Sequence, residues 1–223
     1  MSSAIALKAA DKIASEYDQY VIQRGWVGPD VVFSILQPSI SANQILLDIG
    51  IGTGLCSIKF HEAGVKIYGV DGSFEMISAC GRKNFTQELV QCNLSETDLP
   101  FKGMQFDFII AYGVFHIIGF IDQILNEVKT RLSPDGIFLF SVVENNSFLA
   151  EEYEPSGTPG IFQHRNDPSG LINFCHNDSY IREIIEQAGM ELWLKKSILA
   201  FRDIEEKREV HFSIYTCRRN PGN

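Results

Sequence analysis

The spacing of apolar residues changes several times along the chain. Residues 4–24 place Ile5, Ala9, Ile13 and Tyr17 on one face of a helix. Pro29 sits where a first helical turn tolerates it, and "DVVFSILQ" carries that second helical segment to about Gln37. From Gln44 onward short apolar runs alternate with helical spacing. "QILLDIG", "VKIYGVD", "ELVQCNL", "FDFIIAY" and "IFLFSVV" predict strands. "GLCSIKFHEAG", "SFEMISACGRK" and "FIDQILNEVKTRL" predict helices, the second capped by Ser73 and the third closed by a "SPDG" turn. Strands that are apolar on both faces and alternate with helices predict a parallel sheet covered on both sides.

The last third breaks this rhythm. Residues 144–176 carry Pro155, Pro159 and Pro168 and show no helical period. A stretch that long predicts a functional excursion, with "IFQHR" and "LINFC" as a small hairpin about "NDPSG". "SYIREIIEQAG" predicts a helix capped by Asn177 or Asp178. "MELWLKKSIL" and "EVHFSIYTCRR", joined by a short charged segment, predict an antiparallel pair of strands. No repeat or domain boundary interrupts residues 1–223. They read as one unit: a helical lid over 1–40, a cofactor-binding core over 41–143, a substrate-side excursion with a hairpin over 144–176, and a last helix with two strands over 177–218.

Composition narrows the class. The 223 residues are 45% apolar, enough for one α/β domain with a full core. No apolar run reaches the roughly 18–20 residues that span a bilayer, and the N-terminus has no signal-peptide pattern, so no membrane partner is expected. The five cysteines form no CxxC pair, which points to reduced thiols and a cytoplasmic setting rather than zinc or disulfides. A net charge of −9 without a basic stripe speaks against a long nucleic acid.

The chemistry centres on "ILLDIGIGTGLCSIKF", residues 45–60. Gly50, Gly52 and Gly54 read G-x-G-x-G, and Leu55 stands where a dinucleotide loop has its third glycine or alanine. Asp48 precedes the loop, and its carboxylate would oppose a pyrophosphate. Asp71 ends the second strand, where an acid accepts the hydroxyls of a ribose. These residues ask for a nucleoside that carries positive charge instead of phosphates. S-adenosyl-L-methionine, with its ammonium and sulfonium, meets that description.

Here the chain resembles the class I S-adenosylmethionine-dependent methyltransferases. "LLDIGIGTGL", "YGVDGSFEMI", "QCNLSETDLPF", "FDFIIAYGVFHII" and "RLSPDGIFLFSV" follow that family's motifs in order, and the resemblance covers roughly residues 15–218. Within the class it is most similar to small methyltransferases of the Williams–Beuren-region type, with an early "GP" segment and a late "H-x-x-x-Y" helix start. The resemblance implies a three-layer Rossmann-like sandwich. Its mostly parallel seven-stranded sheet would have an antiparallel last strand and the order 3-2-1-4-5-7-6. It also implies a cofactor site of Asp48, Gly50, Gly52, Asp71, Gly72, Met76, Asn93, Leu94 and Tyr112, and S-adenosyl-L-homocysteine as product. Asn93 departs from the commoner aspartate. Gly54 reads equally as helix packing, and Met76 equally as ordinary core.

His116 lies a few residues past the fourth strand and fits a general base, or alternatively a structural residue under the cofactor. Tyr17, Tyr20, His164 and His176 are substrate-side candidates, with Tyr17, Tyr20 and Trp26 in a lid. "AYGVFH" lacks the N/D-P-P-Y pattern of amino-methyltransferases. Tyr112 stands where a catechol-type metal site needs an acid, so no metal is expected. The reading is in-line methyl transfer to a small-molecule acceptor. The rivals are a protein methyltransferase, a non-catalytic cofactor-binding sensor or assembly protein, and, more distantly, an NAD-linked oxidoreductase. The oligomeric state is not legible.

Overall fold

The computed structural model describes residues 2–145, 151–166, 173–203 and 208–220. Three helices come first: α1 (Ser2–Ile13), α2 (Tyr17–Gln23) and α3 (Gly28–Leu36). The core follows as β1 (Ile45–Ile49), α4 (Ile58–Glu62), β2 (Lys66–Asp71), α5 (Phe74–Gly81), β3 (Thr86–Gln91), β4 (Phe106–Ala111), α6 (Phe115–Ile118), α7 (Asp122–Arg131) and β5 (Leu132–Val143). Then come β6 (Tyr153–Pro155), β7 (Ile161–His164), β8 (Phe174–His176), α8 (Asp178–Gln187), β9 (Met190–Asp203) and β10 (Arg208–Arg219).

The large sheet has the order β3-β2-β1-β4-β5-β10-β9. β9 and β10 are its sixth and seventh strands along the chain, because β6–β8 form a three-stranded sheet of their own. β1 pairs in parallel with β2 and β4, and β4 with β5, whereas β10 runs antiparallel to both β5 and β9. Alternation along each strand splits the core in two. Leu47, Ile109 and Phe138 pack on one face of the sheet with α7 and α8; Leu46, Phe108 and Ile137 pack on the other with α3 and α4. Both faces are covered, which is why β1 and β4 tolerate almost no polar residue.

Several elements differ from the sequence expectation. The single N-terminal helix is two, because Glu16 leaves the helical region (φ −114°, ψ 1°), and the break swings Tyr17 and Asp18 toward the glycine loop. The helix expected from Gly54 begins only at Ile58, since Gly52 and Gly54 both take positive φ and hold the chain in turns. "SPDG" is a bulge within β5: Phe106 pairs with Leu132, and Phe108 already pairs with Ile137. The expected hairpin exists as β7–β8, with Ile161 opposite His176, but β6 adds a third strand. Most of its "NDPSG" tip lies outside the described residues. A short helix, α6, follows β4 where the pattern had assigned no element.

Candidate functional site

The C-terminal ends of β1, β2 and β4 open onto a cavity of about 530 Å³, roofed by α1 and α2. The glycine loop forms its floor. Gly50 and Ile51 both donate their N–H groups to the Val70 carbonyl (2.8 and 2.9 Å), which turns the chain over the end of β2. Gly50 has φ +71°, and a Cβ there would run into Val114 of the loop after β4. A Cβ on Gly52 would meet nothing within 4 Å, so this position faces free space in the cavity. Gly54 is held by packing against Phe85 and Cys80 and does not line the cavity.

Two carboxylates dominate the polar end. Asp48 is 3% exposed and accepts a hydrogen bond from the Ser57 hydroxyl at 2.6 Å. That bond also explains why Ser57, at the start of α4, caps no helix N–H. Burial pushes the Asp48 pKa up to about 7; the Ser57 hydrogen bond opposes the rise and the nearby Asp71 charge adds to it. Asp71 accepts the Gly52 N–H and the Ser73 N–H, one on each carboxylate oxygen, both at 2.8 Å. Burial raises its pKa too, and these backbone donors pull the other way. Each oxygen keeps a lone pair for a ligand. Met76 and Leu94 line the same end. So does Asn93, whose side-chain oxygen accepts the Ser95 N–H at 3.2 Å.

The roof is pinned by two aspartates. Asp18 of α2 accepts the Thr53 hydroxyl of the glycine loop (2.5 Å) and the Lys83 ammonium (2.6 Å). Asp11 of α1 accepts the Ser73 hydroxyl (2.5 Å), and Leu7 closes over Gly72. Tyr17 lies near Cys56 and Asp71. Burial, with the nearby Cys56, Asp71 and Asp18, raises the pKa of its hydroxyl. Tyr20 lines the cavity beneath the Arg24 guanidinium, 3.6 Å from its ring centre.

A second part of the lining is aromatic. Trp26 stands 5.2 Å from Tyr112, 5.8 Å from Phe201 and 5.8 Å from Phe212, measured between ring centres. His116, 8% exposed, packs 5.3 Å from Phe212 and faces the cavity. Tyr112 is 6% exposed, and its hydroxyl finds no hydrogen-bond partner among the described residues.

All of the cofactor candidates expected from the motifs, along with His116, Tyr17 and Tyr20, therefore share one cavity. His164 and His176 do not line it. His164 sits in the small sheet, where its Nδ1 accepts the Asn166 N–H (3.1 Å) and its Nε2 lies 3.6 Å from Glu152. His176 is fully buried, 2.7 Å from the Gly119 carbonyl, and burial holds its pKa down to about 4. It is a neutral histidine that ties β8 to the loop after α6. Phe201 and Phe212 were missed, because they belong to β9 and β10 and reach the cavity only through sheet pairing. No group of three or more His, Cys, Asp or Glu suited to a metal occurs among the described residues, and no helix there is long and apolar enough to cross a membrane.

A family profile described as "Methyltransferase domain" matches residues 47–140, from β1 through the glycine loop to β5. The segment from β1 to β5 carries a methyltransferase domain. This methyltransferase domain is 28% identical over 107 residues to human methyltransferase-like protein 27, covering 46% of this chain and 44% of that protein. It is 32% identical over 104 residues to the ribosomal protein L11 methyltransferase of Helicobacter hepaticus, covering 44% and 31%. In fold it is similar to the 1,6-didemethyltoxoflavin-N1-methyltransferase of Burkholderia thailandensis, crystallised with its substrate and S-adenosylhomocysteine. That match has a TM-score of 0.64 at 19% identity and covers 96% of this chain and 88% of the other. Three curated relatives are matched over 65, 44 and 49% of their own length.

Methyltransferases of this class use S-adenosylmethionine, and the residues present fit that group. Asp48 is a buried acid held by a neutral hydroxyl, Gly52 leaves free space, and Asp71 is oriented by backbone donors with lone pairs to spare.

Proposed function

We propose that the protein is an S-adenosylmethionine-dependent methyltransferase acting on a small-molecule acceptor. The observation that carries this reading is the pairing of Asp48 and Asp71 across the glycine loop in one roofed cavity. Asp71 would hold the ribose hydroxyls. Asp48 would face the ammonium, and Met76, Asn93 and Leu94 would line the adenine. When bound, S-adenosylmethionine supplies a methyl group on an electron-poor sulfonium. The chain's own part is to position the acceptor in line and to exclude water, which the α1–α2 roof and its Asp11 and Asp18 pins serve. His116, which lines the cavity, would take a proton from an acceptor hydroxyl or amine. The division into a lid (1–40), a cofactor core (41–143), an excursion (144–176) and a final helix with two strands (177–218) belongs to this reading. In it the excursion buttresses the site from behind, since Asn173 donates its N–H to the His116 carbonyl at 3.0 Å.

The relative that methylates a ribosomal protein keeps a protein acceptor as the second reading. Labelled S-adenosylmethionine, incubated with the protein and a size-fractionated cell extract, separates the two. Label in the small-molecule fraction supports the first reading and label on protein supports the second. No turnover in any fraction, with S-adenosylhomocysteine still bound, would leave a sensor.

A further inference from the structure

The cavity has two chemically different ends, and the aromatic end bears on what is methylated. Trp26 comes from the segment between α2 and α3, Tyr112 from the end of β4, and Phe201 and Phe212 from β9 and β10. Three separate parts of the chain thus bring rings to one place. Tyr112 and Phe212 lie 5.7 Å apart with their planes at 59°, and Trp26 meets Phe212 edge-on at 87°. Trp26 and Phe201 are only half-buried, so they present ring surface to the cavity. The Tyr112 hydroxyl is buried and has no hydrogen-bond partner among the described residues, so Tyr112 serves this end through its ring.

Resting on the methyltransferase reading above, we propose that this end binds a flat, uncharged aromatic acceptor. Its methyl-accepting oxygen or nitrogen would lie near His116. Edge-to-face and offset contacts with Trp26 and Phe201, backed by the buried Phe212, favour a planar ring over a saturated one of the same size. An aromatic cage also attracts cations. Here a cation would share a water-poor cavity with the sulfonium, and like charges in such a site repel strongly. None of the four ring-bearing residues offers a charge to offset that repulsion. The reaction balances without a further reagent: the acceptor atom forms a bond to the methyl carbon, the carbon–sulfur bond breaks with its electron pair staying on sulfur, and the acceptor's proton passes to His116.

Calorimetry on the protein saturated with S-adenosylhomocysteine tests this, with 2-naphthol and its saturated analogue decahydro-2-naphthol as probes; phenyltrimethylammonium is titrated into the protein saturated with sinefungin, whose ammonium stands in for the sulfonium. The S-adenosylhomocysteine isotherm is recorded first. If it is flat, the methyltransferase reading falls and takes this proposal with it. If it is normal, 2-naphthol is expected to bind about tenfold tighter than the saturated analogue, as two or three ring–ring contacts would give. Phe201→Leu, at a half-buried position, should weaken 2-naphthol about fivefold and leave S-adenosylhomocysteine unchanged. Equal affinity for the saturated analogue, tighter binding of the cation, no binding of 2-naphthol, or no effect of Phe201→Leu would each overturn the proposal while the cofactor reading stands.

Discussion

The two ends of the cavity were assembled in different ways. The acid end is local: Asp48 with the glycine loop, Asp71 with Gly72 and Ser73, and Asn93 with Leu94 each sit at or just beyond the end of a parallel strand. The aromatic end is distant, since Trp26, Tyr112, Phe201 and Phe212 meet only after the lid has docked and the last two strands have paired. In this molecule the end assigned to the cofactor is built from consecutive strand–helix turns, and the end assigned to the acceptor from long-range packing. A single substitution at the acid end should therefore change ligand affinity sharply, and one at the aromatic end should act more gently and more selectively.

The largest effect is expected from Asp71→Ala. It removes the acceptor of the Gly52 and Ser73 N–H groups together with the proposed ribose contact. Two charge-assisted hydrogen bonds correspond to about 3 kcal/mol or more, so S-adenosylhomocysteine affinity should fall by about 100-fold. Calorimetry at pH 8 checks this, and a loss under fivefold would remove Asp71 from the ligand. Gly50→Ala comes next and acts on the fold. A Cβ at φ +71° that collides with Val114 should destabilise the domain by about 2–3 kcal/mol, read as a lowered urea midpoint at unchanged slope.

The pH dependence follows from Asp48. Its folded pKa of about 7 lies above the usual carboxylate value of 3.8. Between those values the ligand-free fold holds a proton that the unfolded chain has released. The stability it contributes is thus complete below the unfolded pKa and is lost as pH rises toward 7. An ammonium beside Asp48 reverses the preference, because it favours the ionised form. Affinity for S-adenosylhomocysteine should rise about tenfold from pH 6 to pH 8, with Asp48→Asn flattening the profile. The same variant should stabilise the ligand-free protein at pH 8 relative to wild type and change little at pH 5. A flat wild-type profile would contradict the placement of the ammonium.

Asp18→Ala has a smaller expected effect. It frees one pin of the roof, and S-adenosylhomocysteine should dissociate about fivefold faster in stopped flow while the fold persists. Tyr112→Phe has the smallest. Because its hydroxyl lacks a partner among the described residues, thermal stability should stay unchanged or rise by up to about 1 kcal/mol.

The same contrast sets what the sequence could disclose. Asp48, Asp71 and Gly52 were legible because an apolar run, an acid and a glycine fall within a few residues of each strand end, and parallel strands bring those ends together. Phe201 and Phe212 were not. Along β9 and β10 they look like any inward-facing aromatic, and only the pairing of β10 between β5 and β9, with its register shift at Val210/His211, places them at the cavity. His176 misled for the opposite reason. It stands in a segment that looks substrate-side, yet the fold buries it completely and spends it on a structural bond to Gly119. The late start of α4 had a local cause with no helical signature of its own: Gly52 and Gly54 take positive φ and hold the chain in turns, and Ser57 gives its hydroxyl to Asp48 rather than to the helix.

The most direct test of the account is the proton balance of cofactor binding. Titration of S-adenosylhomocysteine at pH 7, in two buffers of different ionisation enthalpy, counts the protons exchanged. With Asp48 about half protonated in the free protein and ionised beside the ammonium, about half a proton should be released per site, and none in Asp48→Asn. Tight binding with no proton release, or with the same release in Asp48→Asn, would contradict the claim that this buried acid is the seat of the ligand's positive charge.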